Sequence, residues 1–204
     1  MSDMIPDPES YFRKMVPNHG PLFKSLEAQA DREAIPIVGP LVGELLYILV
    51  RATRAARVLE LGTATGYSAL FLAEACSGTG GKLTTVEWDA ELARQAEANL
   101  AKAGLATWAE VKCASALEAL ARMDDLFDVV FLDIEKEDYL SALPHCTRLT
   151  APGGLLIADN VAFADADPFN RAIGADPGWR SISLYALLPT HSPERDGLGL
   201  AVRV

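Results

Sequence analysis

Basic residues are scarce in this chain: 18 lysines and arginines stand against 28 aspartates and glutamates, a formal charge of −10. No basic block offsets that balance, so nucleic acid and anionic membrane surfaces are not expected partners, and small molecules are. No apolar run approaches the roughly 20 residues a membrane helix needs. The polar start Met1-Ser2-Asp3 lacks a basic and then apolar leader, so the expected location is cytoplasmic. Cysteine is rare too. Cys76, Cys113 and Cys146 are odd in number and widely spaced, which excludes a disulfide framework or a zinc cluster and reads as three packing residues. His19, His145 and His191 show no serine or cysteine partner arrangement, and none is assigned a catalytic role.

What is present is a core. Half of the 204 residues are apolar, enough for one sizeable unit, and a single domain over 1–204 is expected. Residues 1–21 carry four prolines and read as an irregular arm; Leu22 to Arg32 reads as a first helix, and 1–33 together as a substrate wall or dimer contact. Leu41 to Thr53 repeats apolar residues at helical spacing. From there strand and helix alternate. The strand ending Val58-Leu59-Glu60-Leu61 runs through a small-residue turn, Gly62 to Gly66, into a helix opening at Ser68. Leu83 to Glu87 is a second strand, and Asp89 caps the helix Ala90 to Ala103. Thr107 to Lys112 is a third strand, and Ser115-Ala116-Leu117-Glu118 matches a capping box. Phe127 to Asp133 is nearly all apolar, as in a parallel strand covered on both faces. A helix over about 136–149 and a strand Leu155 to Asn160 follow, with Pro152-Gly153-Gly154 between them. Asn170 to Ile173 reads as a short helix. Trp179 to Tyr185 and Gly197 to Val204 then read as an antiparallel hairpin. The fold class is α/β, a mostly parallel sheet with helices on both faces.

In such sheets ligands bind beyond the carboxyl ends of the strands. Glu60 with Gly62, Glu87, Asp133 and Asp159-Asn160 all fall at those ends and should share one rim. Glu87 follows Gly62 at the spacing that places an acid on ribose hydroxyls. A dinucleotide fingerprint would also want glycine at 64 and 67, where this chain has Ala64 and Tyr67, so a pyrophosphate cradle is disfavoured. A nucleoside without phosphates fits better. S-adenosylmethionine is the common one, with its adenine near Trp88 and Ser115. Asp133, Asp159 and Asn160 are three oxygen donors with no histidine or cysteine beside them in sequence, which suits a hard divalent cation, Mg²⁺ or Ca²⁺. Lys136 lies about one helical turn beyond Asp133. A cation nearby would disfavour its protonated form and make the amine a general base.

The stretches Glu60-Leu61-Gly62-Thr63-Ala64-Thr65-Gly66-Tyr67-Ser68, Phe131-Leu132-Asp133-Ile134-Glu135-Lys136-Glu137-Asp138-Tyr139 and Ala158-Asp159-Asn160-Val161, in this order, resemble the signatures of the cation-dependent O-methyltransferases, the group holding caffeoyl-CoA and catechol O-methyltransferases. The resemblance runs from about Ile35 to the end. It implies a Rossmann-like class I methyltransferase sheet of seven strands, the last two forming the hairpin. It implies Asp133, Asp159 and Asn160 as ligands of a divalent cation, Mg²⁺ first with Ca²⁺ or Mn²⁺ as alternatives, with Lys136 as base and Asp133 beside it in catalysis. It places Val38, Glu60, Gly62, Thr63, Ser68, Ala116, Asp133 and Glu135 on the S-adenosylmethionine pocket with Glu87 on the ribose. The implied acceptor is a catechol-like or hydroxycinnamoyl-type phenol, and the implied assembly a homodimer. Two other functions stay open on the residues alone: an NAD(P)-dependent oxidoreductase on a similar sheet, and a non-catalytic protein that kept the cofactor fold.

Overall fold

The computed structural model describes residues 3–204; the first two residues of the expected leaderless start lie outside it. Seven strands form one sheet in the order β3-β2-β1-β4-β5-β7-β6. In chain order they are β1 (Arg57–Leu61), β2 (Lys82–Glu87), β3 (Ala109–Cys113), β4 (Phe127–Leu132), β5 (Thr150–Ala158), β6 (Trp179–Leu187) and β7 (Arg195–Arg203). The first five pair in parallel, and β7 is antiparallel to both β5 and β6. Among the described residues eight α-helices accompany them: α1 (Pro8–Arg13), α2 (Pro21–Glu33), α3 (Gly39–Thr53), α4 (Tyr67–Thr79), α5 (Ala90–Lys102), α6 (Ala116–Arg122), α7 (Tyr139–Leu149) and α8 (Asp167–Ala175). Two apolar clusters result. One packs α3 and α4 against Val58, Leu83, Val129 and Ile157. The other packs α7 and α8 against Leu59, Val130, Leu132 and Leu156. Successive residues of β1, β4 and β5 thus point to opposite, equally buried faces, which is why these strands read as continuous apolar runs. No helix among the described residues is long and apolar enough to cross a membrane.

Several local expectations need correction. The proline-rich start contains α1, because Asp7 accepts from the Ser10 amide and Pro8 takes the first helical position, where its missing N–H costs nothing. Ser115 precedes α6 but makes no side-chain cap bond; it lines a cavity instead. The helix expected from Lys136 opens as a 3₁₀ turn, Lys136–Asp138, before α7 proper. Strand β5 starts at Thr150, which pairs with Phe127, and the register shifts before Leu155 meets Val129, so Pro152-Gly153-Gly154 is a bulge within the strand. Among the cysteines, Cys76 and Cys146 are buried, whereas Cys113 at the end of β3 is exposed and is no packing residue. The cavity that Ser115 lines is lined from Ala34 onward, next to the 1–33 segment expected to serve as substrate wall or dimer contact.

Candidate active site

Strand order reverses between β1 and β4, and a cavity of about 870 Å³ opens over their carboxyl ends. Gly62 leaves β1 at φ +92°, and a Cβ there would lie 1.8 Å from the Asp133 carbonyl oxygen at the end of β4. Only glycine lets the two strand ends approach so closely. Fourteen residues were expected at this rim. Val38, Gly62, Thr63, Ser68, Glu87, Trp88, Ser115, Ala116, Asp133, Glu135, Lys136, Asp159 and Asn160 all line the cavity. Glu60 does not: it is wholly buried beneath the loop.

The Glu60 carboxylate accepts from the Thr85 hydroxyl at 2.5 Å, and Thr85 is in turn bonded to Thr63. Its Oε1 has no hydrogen-bond partner among the described residues. Burial pushes its carboxyl up to about 7, against the hydroxyls of Ser68 and Thr85, which favour the ionised form. Glu87 holds the loop from above. Its Oε2 accepts from the amides of Thr63 (3.2 Å) and Ala64 (2.8 Å), and its Oε1 from that of Asp89 (3.0 Å). A carboxylate has about four acceptor positions, so one is left for a ribose hydroxyl. The same bonds occupy two loop amides that a phosphate would need and set a negative charge beside them, which argues against a pyrophosphate cradle and with it the oxidoreductase alternative.

The acidic end is organised by groups that sequence spacing does not reveal. The buried Tyr139 hydroxyl lies 3.0 Å from both the Leu132 and Asp159 carbonyls, fastening the ends of β4 and β5 together. Lys136 Nζ donates to Asp133 Oδ1 (2.9 Å) and to the Ile134 carbonyl (3.0 Å), and sits 5.5 Å from the Tyr139 ring centre. Burial and the neighbouring Asp159 raise the Asp133 carboxyl above its ordinary range, against the pull of Lys136. Asn160, at φ +50°, donates from Nδ2 to Asp196 Oδ2 (2.5 Å) and to the Ser192 carbonyl (3.2 Å). Both partners are acceptors, so the amide orientation is determined and Oδ1 is the free atom. Asp196 is itself buried and held by the amides of Ala162 and Gly197.

His191, which carried no expected role, is buried against Asp159, with Nε2 at 3.0 and 2.9 Å from its two carboxylate oxygens and Nδ1 at 2.6 Å from the Pro193 carbonyl. Burial alone would lower its pKa; the bond to Asp159 and the charges of Asp159 and Asp196 outweigh that and raise it. The only sequence signal was its place two residues before the bend Pro193-Glu194 that returns the chain to Asp196.

The donor set suits a hard divalent cation. Asp133, Asp159 and Asn160 all line the cavity, two offering carboxylate oxygens and the third, with its Nδ2 held by Asp196 and Ser192, a carbonyl oxygen. Among the described residues no group of three His, Cys, Asp or Glu side chains is poised around one point, so a cage made wholly of such side chains is not what is built here.

Residues 20–167 match the O-methyltransferase family. A catechol O-methyltransferase of Niastella koreensis is 31% identical over 193 residues, covering 86% of this chain and 85% of that one. Another, of Mycobacterium tuberculosis, is 32% identical over 159 residues, with 76% and 72% covered. Among solved structures, the O-methyltransferase TomG of Streptomyces achromogenes in complex with SAM superposes with a TM-score of 0.85 at 28% identity, covering 97% of this chain and 96% of that one. An O-methyltransferase of Bacillus cereus in complex with SAH gives 0.85 at 26% identity, with 97% of each covered. The chain belongs to the O-methyltransferase family and is an S-adenosylmethionine-dependent O-methyltransferase.

Proposed function

We propose that this enzyme methylates one hydroxyl of a small catechol-like or hydroxycinnamoyl-type phenol, with a divalent cation held by Asp133, Asp159 and Asn160. Mg²⁺ is the first candidate, and Ca²⁺ or Mn²⁺ would suit the same oxygens. The observation that supports the reading is that Asn160, whose Nδ2 is taken up by Asp196 and the Ser192 carbonyl so that its Oδ1 is left free, lines the same cavity as Asp133, Asp159, Lys136 and the Gly62 loop. The names of the two catechol O-methyltransferase relatives support the acceptor class.

When bound, the cation would make an acceptor hydroxyl more acidic, and the cofactor would supply a methyl group on sulfonium sulfur. The chain does the rest. Glu87 holds the ribose and the Gly62 to Ser68 loop the amino acid end, with Trp88 and Ser115 beside the adenine. The apolar segment Ile35-Pro36-Ile37 and Phe163 form walls against which an aromatic ring can lie. Lys136 Nζ, three residues from Asp133 and within its reach, receives the hydroxyl proton. Holding oxygen and methyl in line accounts for much of the acceleration, since no covalent enzyme intermediate is needed. A homodimer is part of this proposal: β6 is an edge strand, and it leaves Ile182, Leu184 and Tyr185 exposed.

A screen of phenols with labelled S-adenosylmethionine tests the acceptor class. Vicinal diphenols are expected to be methylated and matched monophenols to be left untouched. Equal turnover of the two would contradict a site built around two adjacent oxygens.

A further inference from the structure

Helix α1 is six residues long and buries none of them. Tyr11 and Phe12 stay exposed, so no apolar face docks it, and a helix this short is not stable alone. What meets the rest of the protein is its charged side. Arg13 donates to both carboxylate oxygens of Glu194 (2.8 and 2.6 Å), 181 residues away in the chain, and to Glu9 one turn back (3.0 Å). Arg195 donates to the other oxygen of Glu9 (2.5 Å). Two acids and two bases thus alternate in one neutral network. Single exposed ion pairs contribute little, but a two-pronged guanidinium–carboxylate pair inside a network is the exception.

The far end of that network is the turn that leads into β7. Glu194 closes it twice: its side chain accepts from the Thr190 amide (3.0 Å) and its carbonyl from the Leu188 amide (2.6 Å). Inside the turn lies Ser192, whose amide donates to the Ile37 carbonyl (3.1 Å) and whose carbonyl accepts from Asn160 Nδ2 (3.2 Å). Ser192, Ile37 and Asn160 all line the cavity. An unbroken run of polar contacts therefore leads from α1, through Glu194 and the turn, to one wall of the active site.

We propose that Arg13 is a positioning residue: through Glu194 it latches α1 onto the β6–β7 loop and so holds the wall made by Ser192, Asn160 and Ile37 in place for methyl transfer. Arg13 lies outside the cavity and acts only through the loop. Its effect on turnover rests on the acceptor reading above; its effect on the loop does not.

Hydrogen exchange read by mass spectrometry on the full chain with S-adenosylhomocysteine tests it, comparing wild type, Arg13→Gln, Glu194→Gln and the double variant. Glutamine at position 194 keeps an acceptor for the Thr190 amide and removes only the charge. Each single variant is expected to speed exchange of the amides between residues 188 and 192 by about fivefold. The double variant is expected to match Arg13→Gln, because no pair is left to break. Peptides covering β1, β2 and the Gly62 loop are expected to keep wild-type rates. Unchanged exchange at 188–192 overturns the proposal, as do additive effects of the two substitutions. Faster exchange spread over the whole sheet also overturns it, since that marks general destabilisation. In methyl transfer to catechol, Arg13→Gln is expected to lower kcat by about fivefold or more, with S-adenosylhomocysteine affinity within about twofold of wild type. A loosened loop with wild-type kcat overturns the positioning role. If wild type leaves catechol unmethylated, the acceptor reading fails, and the exchange rates, which need no acceptor, decide the latch.

Discussion

At the scale of the residue, the molecule puts unlike demands on similar carboxylates. Lys136 is held by Asp133 and the Ile134 carbonyl at the cavity wall, and as the proposed base it is needed for turnover but not for cofactor capture. Lys136→Ala is expected to lower kcat by about a hundredfold or more, with S-adenosylhomocysteine affinity, read by calorimetry, largely kept; wild-type turnover would remove the residue from the chemistry. Glu60 plays a different part. Its carboxyl holds its proton up to about 7 in the folded protein, against an ordinary value of 4.5. Between those two pH values the folded state binds more protons than the unfolded chain, so its contribution to stability is whole below about 4.5 and is lost as pH rises to about 7. Thermal unfolding of wild type against Glu60→Gln is expected to show a falling limb across that window in wild type alone; parallel profiles would mean that Glu60 ionises normally. Asp133 and the Asp159-Asn160 pair drew attention because each directly follows an apolar strand, and Lys136 because it stands three residues beyond Asp133. His191 drew none. It lies 32 residues from Asp159 in the chain, in a stretch whose Thr190, Ser192 and Pro193 read as ordinary turn chemistry, and only closure of the hairpin brings the two together.

At the scale of the element, the βα turn after β1 carries the tightest steric demand. Gly62 and Gly80 both have positive φ, +92° and +75°, but a Cβ at Gly62 would meet backbone at 1.8 Å whereas one at Gly80 meets nothing within 4 Å. Gly80→Ala is therefore expected to cost only the left-handed penalty of about 1 kcal/mol. Gly62→Ala must separate β1 from β4 and is expected to cost more than about 3 kcal/mol, with loss of S-adenosylhomocysteine binding. Denaturant unfolding of the two variants checks the contrast; equal costs would mean the strand ends have room to spare. The alternation of strands and helices could be read in advance because buried strands are uniformly apolar and Asp89, which accepts from the Glu91 and Leu92 amides, marks its helix plainly. Element ends were harder. Pro152-Gly153-Gly154 has the composition of a break yet lies inside β5, carried by pairing of Thr150 with Phe127 that no local signal announces. Ser115 has the spacing of a cap but faces the cavity.

At the scale of the whole molecule, a sheet whose order reverses beside β1 brings the residues that follow β1, β4 and β5, the end of β2 and the loop before β7 around one cavity. The other end of the sheet is an open edge. If Ile182, Leu184 and Tyr185 on β6 mark the proposed dimer face, light scattering on wild type should give twice 21.9 kDa. Ile182→Lys should shift it toward the monomer, and an unchanged mass in the variant would place the contact elsewhere. The central claim is that methyl transfer depends on a cation held by Asp133, Asp159 and Asn160. It is tested most directly by following labelled methyl transfer to a vicinal diphenol in protein treated with EDTA and then resupplied with Mg²⁺. Chelation is expected to abolish turnover, Mg²⁺ to restore it, and Asn160→Ala to blunt the restoration. Full turnover in EDTA would contradict it.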